Sequence, residues 1–282
     1  MASRAVLITG ASTGIGRASA VRLAGAGWDV FAGVRKPEDG EAVRSESPDR
    51  IQPLILDVTD AATIEAATNA LSEALDGRGL AGLVNNAGIT VQGPLEFLPL
   101  DDLRKQLEVN VVGQVAVTQA VMPEIRRATG RIVNMGSVGG RVAHPILGPY
   151  HASKYAMEAL TDSLRKELRQ WGIHVIVVEP GSMATEIWDK GVRGAQEQLD
   201  RIGERGRELY GPTIEKIRAV AAKTGERGGS PDIVAKVVER ALTAKRPRTR
   251  YLVGADAFAQ VALDTILPDR VFDAVEASYL RG

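Results

Sequence analysis

Over its first 180 residues the chain alternates two textures, and this alternation limits its fold more than any other feature. Short aliphatic runs bounded by Gly, Asn or Asp recur at Ala5 to Thr9, Asp29 to Val34, Ile51 to Leu56, Gly82 to Asn85, Arg131 to Met135 and Ile173 to Val178. Runs apolar at both parities suit parallel strands covered on both faces. Between them lie Ala-rich amphipathic stretches, Ile15 to Ala26, Ala61 to Leu75, Leu103 to Arg127 and Tyr150 to Trp171, with helical spacing. Strand and crossover helix in strict alternation build right-handed βαβ units, so the expectation is an α/β fold: a doubly wound parallel sheet with helices on both faces. A chain of 282 residues can bury a core of this kind in a single domain, 1–282.

Two regions depart from the pattern. Residues 182–229 are rich in glycine and charge and read as a mobile insertion, a lid over a substrate site. Ser230-Pro231-Asp232 then caps a helix, Tyr251 to Val253 is a last strand, and residues 255–282 form an amphipathic tail. Lys plus Arg equals Asp plus Glu at 35 each, which argues against a nucleic-acid partner. No apolar run reaches the roughly 18 residues that span a bilayer, and the first strand begins near Ala5, so a cytoplasmic location is expected. The absence of cysteine excludes thiolate metal sites and cysteine nucleophiles, and His144, His151 and His174 are scattered without carboxylates at ligand spacing, so no metal is expected.

The first strand runs into Thr9-Gly10-Ala11-Ser12-Thr13-Gly14-Ile15-Gly16, after which a helix begins. Gly10 can take the tight turn, Gly14 lets the backbone approach a pyrophosphate, and Gly16 lets the helix pack near the strand. Free N–H groups at the helix start then form an anion site without a basic side chain. No Lys-Ser or Lys-Thr follows the last glycine, which argues against an ATPase P-loop. Further on, Tyr150 and Lys154 are a helical turn apart and share a face. A neighbouring ammonium lowers the pKa of a phenol, so Tyr150 can exchange a proton with a substrate oxygen while hydride moves at carbon. Ser137 follows the strand Ile132 to Met135, at the carboxyl end where ligands of open α/β sheets bind, and can hold the same oxygen. Tyr155, beside Lys154 in sequence, faces elsewhere. The second strand ends in Val34-Arg35-Lys36-Pro37 with no carboxylate at its end, so Arg35 is expected to grip the extra phosphate of NADP(H), with NAD(H) as the secondary possibility.

Together these segments resemble the short-chain dehydrogenase/reductase family. The glycine segment matches the T-G-x-x-x-G-x-G pattern, and Leu56-Asp57-Val58, Asn85-Asn86-Ala87-Gly88, Asn110, Ser137, Tyr150-x-x-x-Lys154 and Pro180-Gly181 with Thr185 follow in the family's order. The resemblance implies one Rossmann-type domain with a seven-stranded parallel sheet, a nicotinamide cofactor and a homodimer or homotetramer. It implies that Asp57 and Val58 meet the adenine, that Asn86, Ala87 and Gly88 pass under the cofactor, that Thr185 and the Met183 backbone hold the carboxamide, and that Pro180 and Gly181 also contact the cofactor. By the same resemblance, Tyr150 and Lys154 also contact the cofactor, Lys154 at the ribose, and Asn110 joins Ser137, Tyr150 and Lys154 as a catalytic residue by maintaining a water that links Lys154 to solvent.

The expected substrate wall comprises Ser137, Val138, His144, Leu147, Tyr150, Met183, Ile187 and Trp188, with Arg141, Val142 and Ile146 nearby. Mostly apolar, it suits a lipophilic ketone, aldehyde or alcohol. Phe31-Ala32-Gly33-Val34-Arg35 and the tail are similar to the branch containing 17β-hydroxysteroid and retinol dehydrogenases. The alternatives are a 3-oxoacyl-thioester reductase, whose acidic carrier would want a basic rim such as Arg126, Arg127 and Arg131, and a non-catalytic NADP-binding regulatory protein.

Overall fold

In the computed structural model, which describes residues 4–185 and 201–281, β1 (Ala5–Thr9) is buried along its whole length. Its side chains divide by parity: Val6 and Ile8 join one apolar cluster, Ala5 and Leu7 the other. The same division recurs in β5 (Arg131–Met135), with Val133 and Met135 on the first side and Ile132 on the second, and in β6 (His174–Pro180), with Ile176 and Val178 opposite Val175. Alternating side chains of buried strands thus fill two cores at once. The remaining strands are β2 (Asp29–Val34), β3 (Ile51–Ile55), β4 (Gly82–Asn85) and β7 (Arg250–Val253). All pair in parallel in the order β3-β2-β1-β4-β5-β6-β7, the expected seven-stranded, Rossmann-type sheet.

The helices cover both faces: α1 (Gly14–Gly25), α2 (Pro37–Arg44), α3 (Ala61–Leu75), α4 (Leu100–Leu107), α5 (Gly113–Ala128), α6 (Gly148–Leu168), α7 (Gly203–Arg227), α8 (Pro231–Thr243), α9 (Ala255–Ile266) and α10 (Asp269–Arg281). Ser230 caps α8 through the Asp232 N–H at 3.2 Å, as its sequence indicates, and Asp60 caps α3 through the Ala62 N–H at 2.9 Å. The strand order reverses between β1 and β4, and the glycine loop leaves β1 at that switch point, where open α/β sheets take their ligands.

Two local expectations need correction, and that for the tail gains detail. The helix expected over 103–127 is two helices joined through a wide π turn at Glu108–Val112, which carries Asn110; such turns insert a residue and re-aim the side chains around it. The tail divides at Leu267-Pro268 into α9 and α10, because Pro268 cannot continue the hydrogen-bond ladder of α9. The insertion, expected to lack a core of its own, contains the 25-residue α7. Tyr210, Ile214 and Ile217 recur on one face of α7 and pack with Ile202 against Ile146 and Phe97. Glycine count hid this periodicity.

Candidate active site

The glycine loop is shaped by close approaches. Gly10 has φ 64° and Gly14 φ 53°, both in the left-handed region that favours glycine. A Cβ on Gly16 would stand 2.2 Å from the Gly10 carbonyl oxygen and 2.5 Å from Asn86 Nδ2. The Asn86 amide braces the loop, donating to the carbonyls of Thr9 and Gly10 at 3.0 Å each. Thr9 Oγ1 accepts from the Asn86 and Ala87 N–H groups, also at 3.0 Å. Helix α1 starts with no capping side chain and no acid in its first turn; Ser12 and Thr13 precede it and Ile15 lies in its first turn. Unsatisfied N–H groups, a positive helix end and glycine-lined backbone fit the pyrophosphate of a dinucleotide.

The surroundings extend that fit. Arg35 stands exposed at the end of β2, close enough to Asp57 for its charge to act there. Burial raises the Asp57 carboxyl, but hydrogen bonds from Thr59 and the Arg35 charge outweigh it, leaving Asp57 below the usual carboxylate range. Val58 is buried, under Gly113. Gly88 lies against Asn110, and Thr185 lies 3.4 Å from where a Gly14 Cβ would be, so the chain after Pro180-Gly181 returns to the glycine loop. Asp256 holds that return, accepting from the Ser182 N–H at 2.7 Å.

On the other side of the switch point, Ser137 ends the β5 segment in extended backbone and caps a short turn, Val138–Gly140, by accepting from the Gly139 N–H at 3.0 Å. Gly139 leaves room for two rings: its Cβ would stand 2.8 Å from His151 Nδ1 and 3.2 Å from Tyr150 Cε1. The turn thereby sets the Ser137 hydroxyl near enough to the Tyr150 phenol to pull its pKa down. Lys154 is buried, its Nζ donating to the Met135 carbonyl at 2.7 Å and lying 5.7 Å from the centre of the Tyr150 ring. Burial pushes the Tyr150 phenol up, against the downward pull of Ser137, and pushes Lys154 down to about 8. The expected lowering of Tyr150 by the ammonium is therefore not the dominant effect here; desolvation outweighs it. Tyr155 does face elsewhere, donating to the Arg141 carbonyl.

Asn110 spends its side chain on structure. Oδ1 accepts from the Ile89 N–H at 2.8 Å, while Nδ2 donates to the Ile89 carbonyl at 3.0 Å and Ser153 Oγ at 3.1 Å. Gln106 repeats the clamp, accepting from the Val91 N–H and donating to the Ile89 carbonyl at 2.9 Å. Ser153 Oγ then donates to the Tyr150 carbonyl at 2.7 Å, so α4, the π turn, α6 and the strand exit at Gly88 form one unit. The sequence does not single out Gln106, Ser153 or Asp256. Single polar residues in helices or turns carry no pattern there.

The expected substrate residues divide. Val138 and Leu147 are half-buried on either side of the Ser137 turn and the start of α6. Met183 is buried in the apolar core and pairs its backbone with Gly229. Ile187 and Trp188 lie outside the described residues. A cavity of about 470 Å³ is lined by Leu95, His144, Ile146, Gly148, Tyr210 and Ala277 among others. Ile146 adopts φ 68°, strained for a β-branched side chain. His144 is bolted to the tail helices by Glu276 at 2.7 Å and Gln260 at 3.0 Å.

His151 supplies a stability prediction. Its Nδ1 donates to the Gly139 carbonyl at 2.8 Å, while Nε2 is buried without a partner, and burial pushes the imidazole down to about 4. The unfolded chain therefore binds a proton near pH 6.5 that the folded chain resists until about 4. This stability is complete above pH 6.5 and is lost as pH falls towards 4, by on the order of 2 kcal/mol. Chemical denaturation from pH 7 to 4.5 should show the slope, and His151→Asn should flatten it; an unchanged slope would contradict the assignment.

A doubly wound sheet with a dinucleotide cradle beside a Ser-Tyr-Lys cluster defines a nucleotide-dependent oxidoreductase. Residues 4–195 match the short chain dehydrogenase family, and the chain belongs to it. It is 32% identical over 277 residues to the NADPH-dependent 3-dehydrocapnine reductase of Ornithobacterium rhinotracheale, covering 96% of this chain and 95% of that protein. It is 37% identical over 275 residues to retinol dehydrogenase 7 of Rattus norvegicus, covering 96% and 86% respectively. A short chain dehydrogenase from Burkholderia cenocepacia J2315, solved with NADP, superposes with a TM-score of 0.73 at 26% identity, covering 99% of this chain and 98% of that one. No helix among the described residues is long and apolar enough to cross a membrane.

Proposed function

We propose that this protein is an NADP(H)-dependent oxidoreductase interconverting a lipophilic ketone or aldehyde and the corresponding alcohol, with Tyr150 as the proton carrier. The observation that carries this reading is the convergence of Ser137, Tyr150 and Lys154 at the carboxyl end of β5, joined through Ser153, Asn110 and Gly88 to the strand exit beside the glycine loop. When bound, the nicotinamide supplies or accepts hydride. Tyr150 donates its phenolic proton to the oxygen of a carbonyl substrate, and Ser137 donates a hydrogen bond to the same oxygen, fixing its position as charge develops. Lys154 supplies positive charge beside the phenol and, with Tyr150, a hold on the cofactor ribose. Ser137, Val138, His144 and Leu147 form the near wall of the substrate site, and α7 covers it as a lid.

The 470 Å³ cavity shares His144 with this wall, though Ser137, Tyr150 and Lys154 do not line it, and its mostly apolar lining supports a lipophilic substrate. The carrier-protein reading loses its rim. Arg131 opens β5 at the end away from Ser137 and donates to the Ala241 carbonyl, Arg127 pairs with Glu124, and Arg126 stacks on Trp171. A screen of NADPH oxidation over ketones, aldehydes, quinones and 3-oxoacyl thioesters tests the reading, and turnover confined to thioesters would reverse it.

Cofactor choice has its own test. If Arg35 holds the 2′-phosphate, wild-type kcat/KM should favour NADPH over NADH, and Arg35→Ala should lower it for NADPH by about 10–100-fold, the value of a charged hydrogen bond, with little change for NADH. Equal efficiency with both nucleotides in the wild type would remove Arg35 from this role.

A further inference from the structure

We propose that the buried carboxyl pair Glu158–Glu179, clamped by Arg250 and Arg141 behind α6, is a positioning device of the reactive centre that holds Lys154 as an ammonium beside Tyr150. This rests on the reading of Tyr150 and Lys154 given above. Tyr150, Lys154 and Glu158 follow one another at four-residue intervals in α6, so they stack along one face. Glu158 and Glu179 are both buried, on α6 and β6. Arg250, from β7, binds them together: its Nε donates to Glu158 Oε2 at 3.0 Å and lies 3.7 Å from Glu179 Oε1. Arg141 Nη1 reaches Glu179 at 3.4 Å, and the outer charges, Asp162 with Arg250 and Arg165, pair with one another at 2.9 Å each.

The second oxygen of Glu158 is the informative atom. Oε1 is buried without a hydrogen-bond partner, while Arg250 draws the Glu179 carboxyl to the same side of α6. Two buried carboxyl groups around one guanidinium repel one another, which favours a proton on Glu158. Burial first, and the Glu179 charge second, push Glu158 up to about 7, against the pull of Arg250. The loop carrying Ser137 closes over the pair. A Cβ on Gly140 would stand 2.9 Å from the Lys154 carbonyl oxygen and 3.3 Å from Glu158 Cγ, and one on Gly136 would stand 3.3 Å from Glu158 Oε1.

Lys154 has a carbonyl partner at Met135, and Glu158 is the acid whose charge acts on it, supporting the ammonium that burial opposes. Among the described residues, Glu158 is the carboxylate that acts on Lys154; the Val138–Gly140 turn leads to Arg141, and α6 adds Tyr150 and His151.

The test is an NMR titration of the protein carrying lysine labelled with ¹³C at Cε, with the Lys154 signal assigned by its loss in Lys154→Arg. In the wild type the midpoint is expected at about 8. In Glu158→Gln it should fall by roughly half a pH unit or more, and in Glu179→Gln by less in the same direction. A Glu158→Gln midpoint within about 0.2 units of wild type would overturn the proposal. If Glu158→Gln does not fold, Glu179→Gln carries the same decision, an unmoved midpoint overturning the proposal. Turnover of Tyr150→Phe decides the underlying reading separately: loss of activity there, with an unmoved Lys154 midpoint, overturns this proposal alone.

Discussion

Tyr150→Phe is expected to lower kcat by about 10²–10⁴-fold, the range associated with one positioned proton donor, while nucleotide affinity changes by no more than a few-fold. The substitution removes one oxygen and leaves the ring edge against Gly139 in place, so folding should be unaffected. The phenol is desolvated and pushed up, which keeps it protonated in the free enzyme through neutral pH. That state suits carbonyl reduction, in which Tyr150 gives a proton, and the reductive rate should be flat from pH 6 to 8. Single-turnover NADPH oxidation at saturating carbonyl substrate measures the step directly. A mutant with full activity would end the assignment.

The second large effect is expected at the glycine loop. Gly16→Val must place a branched side chain where even a Cβ meets the Gly10 carbonyl at 2.2 Å, and both that carbonyl and the Asn86 amide belong to a tight backbone brace. Neither neighbour is a flexible side-chain end, so the loop must shift. Overpacking of this type destabilises by about 1–3 kcal/mol, or several degrees in Tm for a chain of this length, and the displaced N–H groups should weaken nucleotide binding by about 100-fold. Gly25→Ala is the control: its Cβ would meet nothing within 4 Å, so it should leave both Tm and Kd close to wild type. Equal behaviour of the two variants in calorimetry and nucleotide titration would show that the loop geometry is not what binds.

Much of this was legible before any coordinates. The strands could be read because a buried parallel strand must be apolar on both faces, and β1, β2, β4 and β5 begin and end where their aliphatic runs do. The glycine loop was legible because left-handed turns and close backbone contacts leave glycine as the residue that fits. α7 was not, since its glycines masked the spacing of Tyr210, Ile214 and Ile217, and burial of that face depends on Ile146 and Phe97, far away in the chain. The brace that Asn86 makes on Thr9 and Gly10 was not legible, because an amide beside a glycine loop can point at ligand or at backbone, and only packing decides.

Residue types and their periods by themselves determined the α/β alternation, the glycine cradle and the pairing of Tyr150 with Lys154, because each follows from short-range geometry along a strand, a turn or a helix. The tertiary structure alone decided that Lys154 turns to the Met135 carbonyl, that Asn110 ties Ile89 to Ser153, and that Glu158 meets Glu179 and Arg250. Those contacts join elements distant in sequence, and the charge states they set depend on how much water packing removes, a quantity no local pattern encodes.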